Sequence, residues 1–387
     1  MASIVYYGSA RQAKKVAEET LPAKLDLIID RLHIRDRVKD ELVVLKMHTG
    51  NNIGYSTLHP VFVRKMVQAI KDGGGEVFVA DVEWDTHAAY ARGYSNEVIG
   101  CPIYPASGLS GKYTYTHEYE FKQMKEWHVA GLIQDATFLV NFAHAKGHPS
   151  CGYGGANKNL ALGCMAGDTR SAMHDTMHFH PYWFPEKCPD PAVRAQIIAA
   201  CPHGALTADR HQADGIHLHV EECNKCGRCL QVAPVGSLKI DPANFQVFPE
   251  ANAISVKLSL STFAPAKQTH LVLATHMTPL CDCFGFTSMP ILHDAGIFGS
   301  DDIVAVDQAV LDMTGKQPLL EQNVPTSMEV HTREGHPLRW LHGPLKDPYK
   351  ITEFGEKYGL GTREYELVDV YPVQEQAFGP AAYIPAK

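Results

Sequence analysis

What this sequence lacks narrows its function first. Its 387 residues contain no run of about 18 apolar residues, so no segment reads as a membrane-spanning helix. Basic residues are not in excess: 35 Lys+Arg stand against 43 Asp+Glu, a formal charge of −8. That balance argues against nucleic acid as the main partner, because nothing is left over to neutralise phosphates. Met1-Ala-Ser-Ile-Val-Tyr-Tyr-Gly8 has no basic stretch followed by an apolar one, so it reads as a first strand rather than a signal peptide, and a cytoplasmic protein is expected. There is no P-loop, no dinucleotide glycine fingerprint and no H-E-x-x-H. The C-x₃-C-x₂-C pattern of radical S-adenosylmethionine enzymes is also missing. A 45% hydrophobic and 20% charged chain is ordinary globular material, which excludes wholesale disorder. At roughly 150 residues per domain, two or three domains fit its length.

What is present reads as an α/β body with a parallel or mixed sheet and helices on both faces. Ile4 to Tyr7, Leu42 to Lys46, Glu76 to Ala80 and Thr137 to Asn141 are short apolar runs with strand character. Helical spacing runs through Ala10 to Leu32 and from Pro60 to Ile70, the latter ended by Gly73-Gly-Gly75. Strand, helix, strand at this spacing is a βαβ unit. The Gly-, Pro- and Tyr-rich stretch from Gly100 to Thr116 reads as an excursion loop. Near Trp183 the composition shifts to short, Pro-punctuated, Cys-rich sequence, which divides the chain into 1–183, an inserted small module at 184–248, and 249–387. In the last part, Ala253 to Leu260, His270 to Ala274 and Ile303 to Val306 are expected as strands, Asp307 to Met313 as a helix, and the final forty or so residues as a tail packed over the body.

Ten cysteines in a chain expected to be cytoplasmic point to metal rather than disulfides. Cys223-Asn-Lys-Cys226-Gly-Arg-Cys229 is C-x₂-C-x₂-C, a spacing that brings three thiolates of one loop to an iron–sulfur cubane. In bacterial ferredoxins the run continues x₃-C-P; here Ala233-Pro234 stands instead. Upstream, Cys201-Pro-His-Gly-Ala-Leu206 aligns without gaps on Ala233-Pro-Val-Gly-Ser-Leu238. In that first half the other cysteine positions are filled by Pro191, Arg194 and Ile197. Since the cysteine before the proline ligates the opposite half's cluster, loss of one cluster removes three cysteines from one half and one from the other. One 4Fe–4S cluster on Cys201, Cys223, Cys226 and Cys229 follows, with zinc on the same residues as the competing reading. A cluster with four thiolates has no vacant iron for a substrate, so moving electrons is its default role.

Three further groups carry candidate chemistry. After the strand ending at Asn141 comes a loop with Lys146, His148, Gly152, Gly154, Gly155, Lys158 and Asn159. Loops at the carboxyl ends of parallel strands hold the sites of α/β proteins. The glycines allow close backbone approach and the lysines supply charge for an anionic group, or the loop is merely solvated. Cys281-Asp-Cys283 can ligate a metal with help from His276 or His293, or be two free thiols. His174 and His178 share a helical face and, with His180, offer metal ligands or plain surface histidines. Asp294 and Asp307 lie at the edges of apolar segments, and Asp307 reads as a helix N-cap.

The Cys-rich module, Lys146-Gly-His148 with Gly154-Gly-Ala-Asn-Lys158-Asn159, and Cys281-Asp-Cys283 leading to Ile297-Phe-Gly-Ser300-Asp-Asp302-Ile-Val-Ala-Val-Asp307 together resemble the "domain of unknown function 362" family. The nearer resemblance is to its iron–sulfur branch, in which a ferredoxin-like segment interrupts the family domain. It spans about Leu42 to Met313 and implies that Lys146, His148, Lys158 and Asn159 line a common pocket. Many relatives carry two cysteine sets where this chain keeps one. The leading expectation is an iron–sulfur oxidoreductase or electron-transfer protein. It would exchange electrons with an unnamed donor or acceptor and hold a small anionic molecule on Lys146 and Lys158, with His148 as proton donor. A non-redox isomerase or lyase with a structural cluster, and a metal-delivery protein using Cys281 and Cys283, stay open beside it.

Overall fold

A computed structural model of the chain describes residues 2–51, 54–285 and 287–371. Its frame is one sheet of eight strands: β1 (Ser3–Ser9), β2 (Leu42–Lys46), β3 (Glu76–Asp81), β4 (Ile103–Pro105), β5 (Phe138–His144), β6 (Gln268–Ala274), β7 (Gly296–Ser300) and β8 (Tyr365–Asp369). The spatial order is β8-β1-β7-β6-β5-β2-β3-β4. Every neighbouring pair is parallel except the two made by β7, which runs against both β1 and β6. The expected mixed α/β sheet is therefore present.

Alternation along the central strands decides which face each side chain serves. Val44, Phe78, Ala80, Leu139, Ala143 and Val272 belong to one core; Val43, Leu45, Val77, Val79, Val140 and Leu271 belong to the other. Both faces are apolar, so β2 reads Leu-Val-Val-Leu without a polar interruption, as a strand covered on two sides must. The second core is closed by α1 (Leu21–Arg31) and α2 (Pro60–Asp72), through Leu25, Ile28, Val63, Met66 and Ile70. Pro60 opens α2, and the His59 side chain accepts from the Val61 amide at 3.2 Å. Covering the first core are α3 (Ala156–Gly163), α4 (Gly167–Asp175), α5 (Asn244–Leu260) and α6 (Ile303–Thr314).

The structure corrects several elements expected from sequence. Only Leu21–Arg31 of the stretch Ala10 to Leu32 is α-helix. Ala253 to Leu260 belongs to α5 and is not a strand: Ile254, Val256, Leu258 and Leu260 alternate with Ser and Lys, but nearly the whole helix circumference is buried, so the alternation carries no face information. Ile303 to Val306 begins α6 rather than forming a strand. The N-cap is Asp302, whose Oδ1 accepts from the amides of Val304 and Ala305, both at 2.9 Å. A strand is found in the excursion loop, namely β4. Of the expected tail, residues 372–387 lie outside the described residues.

Between Trp183 and Leu238 the elements are short: a helix at Pro191–Ala199, a hairpin of Leu206–Ala208 with Ile216–Leu218, and a helix at Arg228–Val232. Trp183 and Leu238 pair as an antiparallel bridge across this segment.

Asp307 is not an N-cap of its own helix. It lies fully buried inside α6, where its carboxylate accepts from the amides of Ala156 and Asn157, both at 2.8 Å, from Asn157 Nδ2 at 2.9 Å and from the Tyr153 hydroxyl at 3.0 Å. It therefore caps α3 from a distance and fixes the start of the helix that carries Lys158 and Asn159. Asp307→Ala leaves three buried donors without an acceptor, while Asn157 Nδ2 keeps the Ile303 carbonyl at 3.1 Å. At about 1–3 kcal/mol for a group so stranded, the variant is expected to lose at least ~3 kcal/mol. A lowered denaturation midpoint checks this, and an unchanged midpoint contradicts it.

A candidate active site at the switch point of the sheet

From β2 the chain steps outward to β3 and β4; from β5 it steps the other way to β6 and β7. The reversal opens a crevice beyond the carboxyl ends of β2 and β5, where such sheets bind ligands. A cavity of about 400 Å³ lies there. Its wall holds Lys46 and His48 after β2, Asp81 and Asp85 after β3, Lys146 and His148 after β5, and Lys158 and Asn159 from α3. Arg170, His174, Cys281 and Cys283 complete its chemistry. The crevice thus gathers Lys146, His148, Lys158, Asn159, Cys281 and Cys283 from three separate stretches of sequence.

Two buried carboxylates organise this wall. Asp81 accepts from Lys46 Nζ at 2.9 Å and from the Thr49 amide at 2.8 Å, and its other contact is His48 Nδ1 at 2.9 Å. Burial would raise its pKa, but Lys46 and His48 outweigh that and hold it well below the carboxylate range. Asp282 is met by His144 Nδ1 at 2.9 Å, Lys146 Nζ at 3.3 Å and the Ser56 hydroxyl at 2.7 Å. It too is held low against burial by His144 and Lys146. Asp85 has weaker support: burial pushes it up to about 6, His48 pulling the other way. Gly163 is required by this arrangement, because a Cβ there would stand 2.3 Å from Lys46 Nζ.

Of the lysines and arginine that line the cavity, Lys158 is the one with no carboxylate partner among the described residues. Its Nζ stands 3.5 Å from Cys281 Sγ and 4.0 Å from Cys283 Sγ. Burial would lower its pKa, yet Cys281, Cys283 and Cys151 outweigh that and raise it. On Cys281, the hydrogen bond from Cys283 is the largest influence. With Lys158, His48 and Lys146 it holds this thiol well below its usual range despite burial, while Cys283 is raised as its donor. His148 is buried beside Lys158, and both effects depress it well below the ordinary imidazole value. Its Nδ1 accepts from the Ser150 amide at 3.2 Å, so the ring is neutral with its proton on Nε2. It offers a neutral N–H.

The glycines of the loop serve the protein rather than the cavity. A Cβ on Gly152, where φ is +79°, would lie 2.5 Å from the Lys346 carbonyl, and one on Gly155 would lie 2.3 Å from Asp307 Oδ1. Neither these two nor Gly154 belongs to the cavity wall. The histidine that completes the Cys281/Cys283 group is His48. The ligand atoms of these three residues all lie within 4.8 Å of one another. His293 is exposed and His276 stands outside the cavity wall. Of the other histidines, His174 reaches the wall, whereas His178 packs against Tyr182 and His217.

Cys201, Cys223, Cys226 and Cys229 line a second, smaller recess. Cys201 accepts from the Ala205 amide at 3.2 Å, and the Cys226 amide donates to Asn224 Oδ1 at 3.0 Å. Glu221 and Glu222, directly before Cys223, belong to the wall of the main cavity, so one chain segment borders both spaces. Lys346 lies buried near this junction, its ammonium bonded to the Glu221 carbonyl; burial brings its pKa down to about 8 against the pull of Cys223 and Glu222.

Residues 43–312 match the family model described as domain of unknown function (DUF362). The chain belongs to the DUF362 family. No curated protein matches this DUF362 chain. Among solved structures, the lactate racemase apoprotein from Thermoanaerobacterium thermosaccharolyticum is similar at 10% identity, with a TM-score of 0.32. The match covers 70% of the DUF362 chain and 55% of the racemase chain. None of the helices among the described residues is long and apolar enough to cross a membrane.

Lys46, His48, Asp81, Asp85 and Arg170 were not singled out from the sequence. The rule that picked out Lys146 also points to Lys46-Met-His48 and to Asp81, since each closes an apolar run at a strand's carboxyl end.

Thiolate character separates the buried cysteines, because Cys151 and Cys164 are pushed by burial to about 12 and Cys101 to about 11. In metal-free protein at pH 7, Cys281 is expected to react with iodoacetamide at least about tenfold faster than these three. Peptide mapping over time reads the order, and equal rates contradict the assignment.

Proposed function

We propose that the protein is an iron–sulfur oxidoreductase. One 4Fe–4S cluster on Cys201, Cys223, Cys226 and Cys229 exchanges electrons with a small anionic molecule held in the main cavity. The observation that carries this reading is the run Glu221-Glu222-Cys223, which passes from the wall of the cavity into the recess of the four cysteines without a residue between. An electron leaving the cluster there reaches the cavity wall along that one run.

Three features support the parts. First, a bridged strand residue, helix, hairpin, helix and second bridged strand residue from Trp183 to Leu238 follow the β-α-β-β-α-β order of a ferredoxin-like unit. Second, the four sulfurs line one recess but are set wider than a single zinc ion would hold them. Tetrahedral zinc, with Zn–S of about 2.3 Å, holds its sulfurs about 3.8 Å apart. Among the described residues, the groups whose ligand atoms all lie within 4.8 Å are His48/Cys281/Cys283 and His48/Asp81/Asp85, and no set of these four cysteines is among them. A cubane, with iron and sulfide between its thiolates, takes the wider spacing. Third, Lys46, Lys146, Lys158 and Arg170 line one cavity, and Lys158 has no carboxylate partner among the described residues. It is the group to hold a substrate anion, while the neutral His148 offers its Nε2 proton as a hydrogen-bond donor.

The partner that supplies or removes electrons is a separate protein or cofactor. Anaerobically prepared protein is expected to contain iron and sulfide in equal amounts and to show a cluster signal by electron paramagnetic resonance on reduction. Cys201→Ser and Cys226→Ser should each lower the iron content by more than half. Zinc in place of iron, or a full cluster in Cys201→Ser, overturns the ligand assignment. A cluster that no dithionite or mild oxidant can titrate reversibly overturns the redox role.

A further inference from the structure

His48, Cys281 and Cys283 stand apart from the proposed cluster, and their chemistry differs from that of the four-cysteine recess. We infer that these three residues bind a single soft transition-metal ion, with one coordination position left open to the main cavity. This goes beyond the iron–sulfur reading and does not depend on it.

The geometry argues the site in steps. Three ligand atoms within 4.8 Å of one another fit around one ion, where the four-cysteine recess does not. Two sulfurs and an imidazole nitrogen are a soft donor set, suited to zinc, cobalt, nickel or copper rather than to magnesium or calcium. His48 is oriented as a metal-bound histidine is: Nδ1 is tied to Asp81 at 2.9 Å, and Nε2 is buried beside the two sulfurs with no oxygen or nitrogen partner among the described residues. A carboxylate on one ring nitrogen fixes the tautomer and aims the other at the ion. All three residues line the main cavity, so the ion's remaining position faces its contents. Three protein ligands with a fourth position open is the make-up of a catalytic rather than a structural site.

Charge points the same way. Lys158, at 3.5 and 4.0 Å, supplies the positive charge at the two sulfurs in the metal-free protein. A divalent ion neutralises two thiolates and releases that ammonium toward a ligand in the cavity. The other grouping around His48, with Asp81 and Asp85, is a poorer site. Asp81 Oδ2 already accepts from the Thr49 amide at 2.8 Å and meets His48 Nδ1, and its Oδ1 is held by Lys46 at 2.9 Å.

Cobalt(II) tests this in the full-length, anaerobically purified protein. The expected result is uptake of one cobalt per chain, with thiolate-to-cobalt charge-transfer and tetrahedral d–d bands in the difference spectrum, both abolished by added zinc. Cys281→Ser, Cys283→Ser and His48→Gln should each weaken cobalt binding at least about tenfold while iron and sulfide contents stay unchanged. Should a variant fold poorly, the wild type decides: bound cobalt should protect Cys281 and Cys283 from alkylation. Absence of the bands, their persistence in the Cys281→Ser/Cys283→Ser double variant, their loss only in Cys226→Ser, or unprotected thiols in the cobalt-loaded wild type overturns the site. Wild-type protein that takes up cobalt but contains neither iron nor sulfide would count against the cluster and leave this centre standing.

Discussion

The candidate site depends on two aspartates that are buried almost completely, Asp81 and Asp282. A carboxylate taken out of water costs several kcal/mol unless paired and hydrogen-bonded, and even a well-made buried pair gains little over apolar residues of the same volume. Asp81 and Asp282 therefore contribute position more than stability. Asp81 binds Lys46 and His48 from the neighbouring strand end; Asp282 draws in His144, Lys146 and Ser56. Each one ties together segments more than thirty residues apart, and between them they consume the charge of Lys46 and Lys146. Lys158 is left over, facing sulfur. Removing either aspartate would strand two cations in the same low-dielectric wall, so the cavity's charge pattern stands or falls as a unit.

The sheet's reversal between β2 and β5 explains why these groups meet at all. Had β5 been laid outside β4, the loop carrying Lys146 would sit three strands from His48. The strand order instead puts the two polar loops side by side, with α3 descending between them. Asp307 fixes where α3 begins, which sets the height of Lys158 in the crevice. A residue deep in α6 thus determines the position of the charge at the cavity's centre.

Sequence reading reached the parts of this site whose chemistry clusters locally. Lys146 and His148 follow a strand that begins with an apolar run, Cys281 and Cys283 stand one residue apart, and the cysteines at 223, 226 and 229 carry their own spacing. The strands β2, β3, β5 and β6 were equally plain, because each carries an apolar run buried on both faces. His48, Asp81 and Asp85 are single polar residues after such runs, and only the strand order shows that they face the same crevice. Ala253 to Leu260 misled for a different reason: with serines buried on a helix enclosed by other helices, a period of two appears where no strand exists. Asp307 was misread because an aspartate ahead of an apolar run resembles a cap, while its partners lie about 150 residues away.

The two sulfur sites differ in how they keep thiolate charge, and this orders their assembly. In the recess of the four cysteines, burial raises Cys223, and burial with the neighbouring thiols pushes Cys229 up to about 11. As ligands of the proposed cluster all four become thiolates that repel one another, with no lysine bonded to any of them among the described residues. Only a positively charged inorganic core can hold them together, so on the proposed reading the segment from Cys201 to Cys229 reaches its final packing with the core in place, and metal binding is part of its folding free energy. Cys281 is different. Lys158, His48 and the Cys283 thiol already favour its thiolate inside the finished fold. An ion can enter and leave that site through the cavity without unfolding anything, as exchange with substrate at an open position requires. On these two proposals the first centre belongs to the structure once made, whereas the second is open to the solution that fills the cavity.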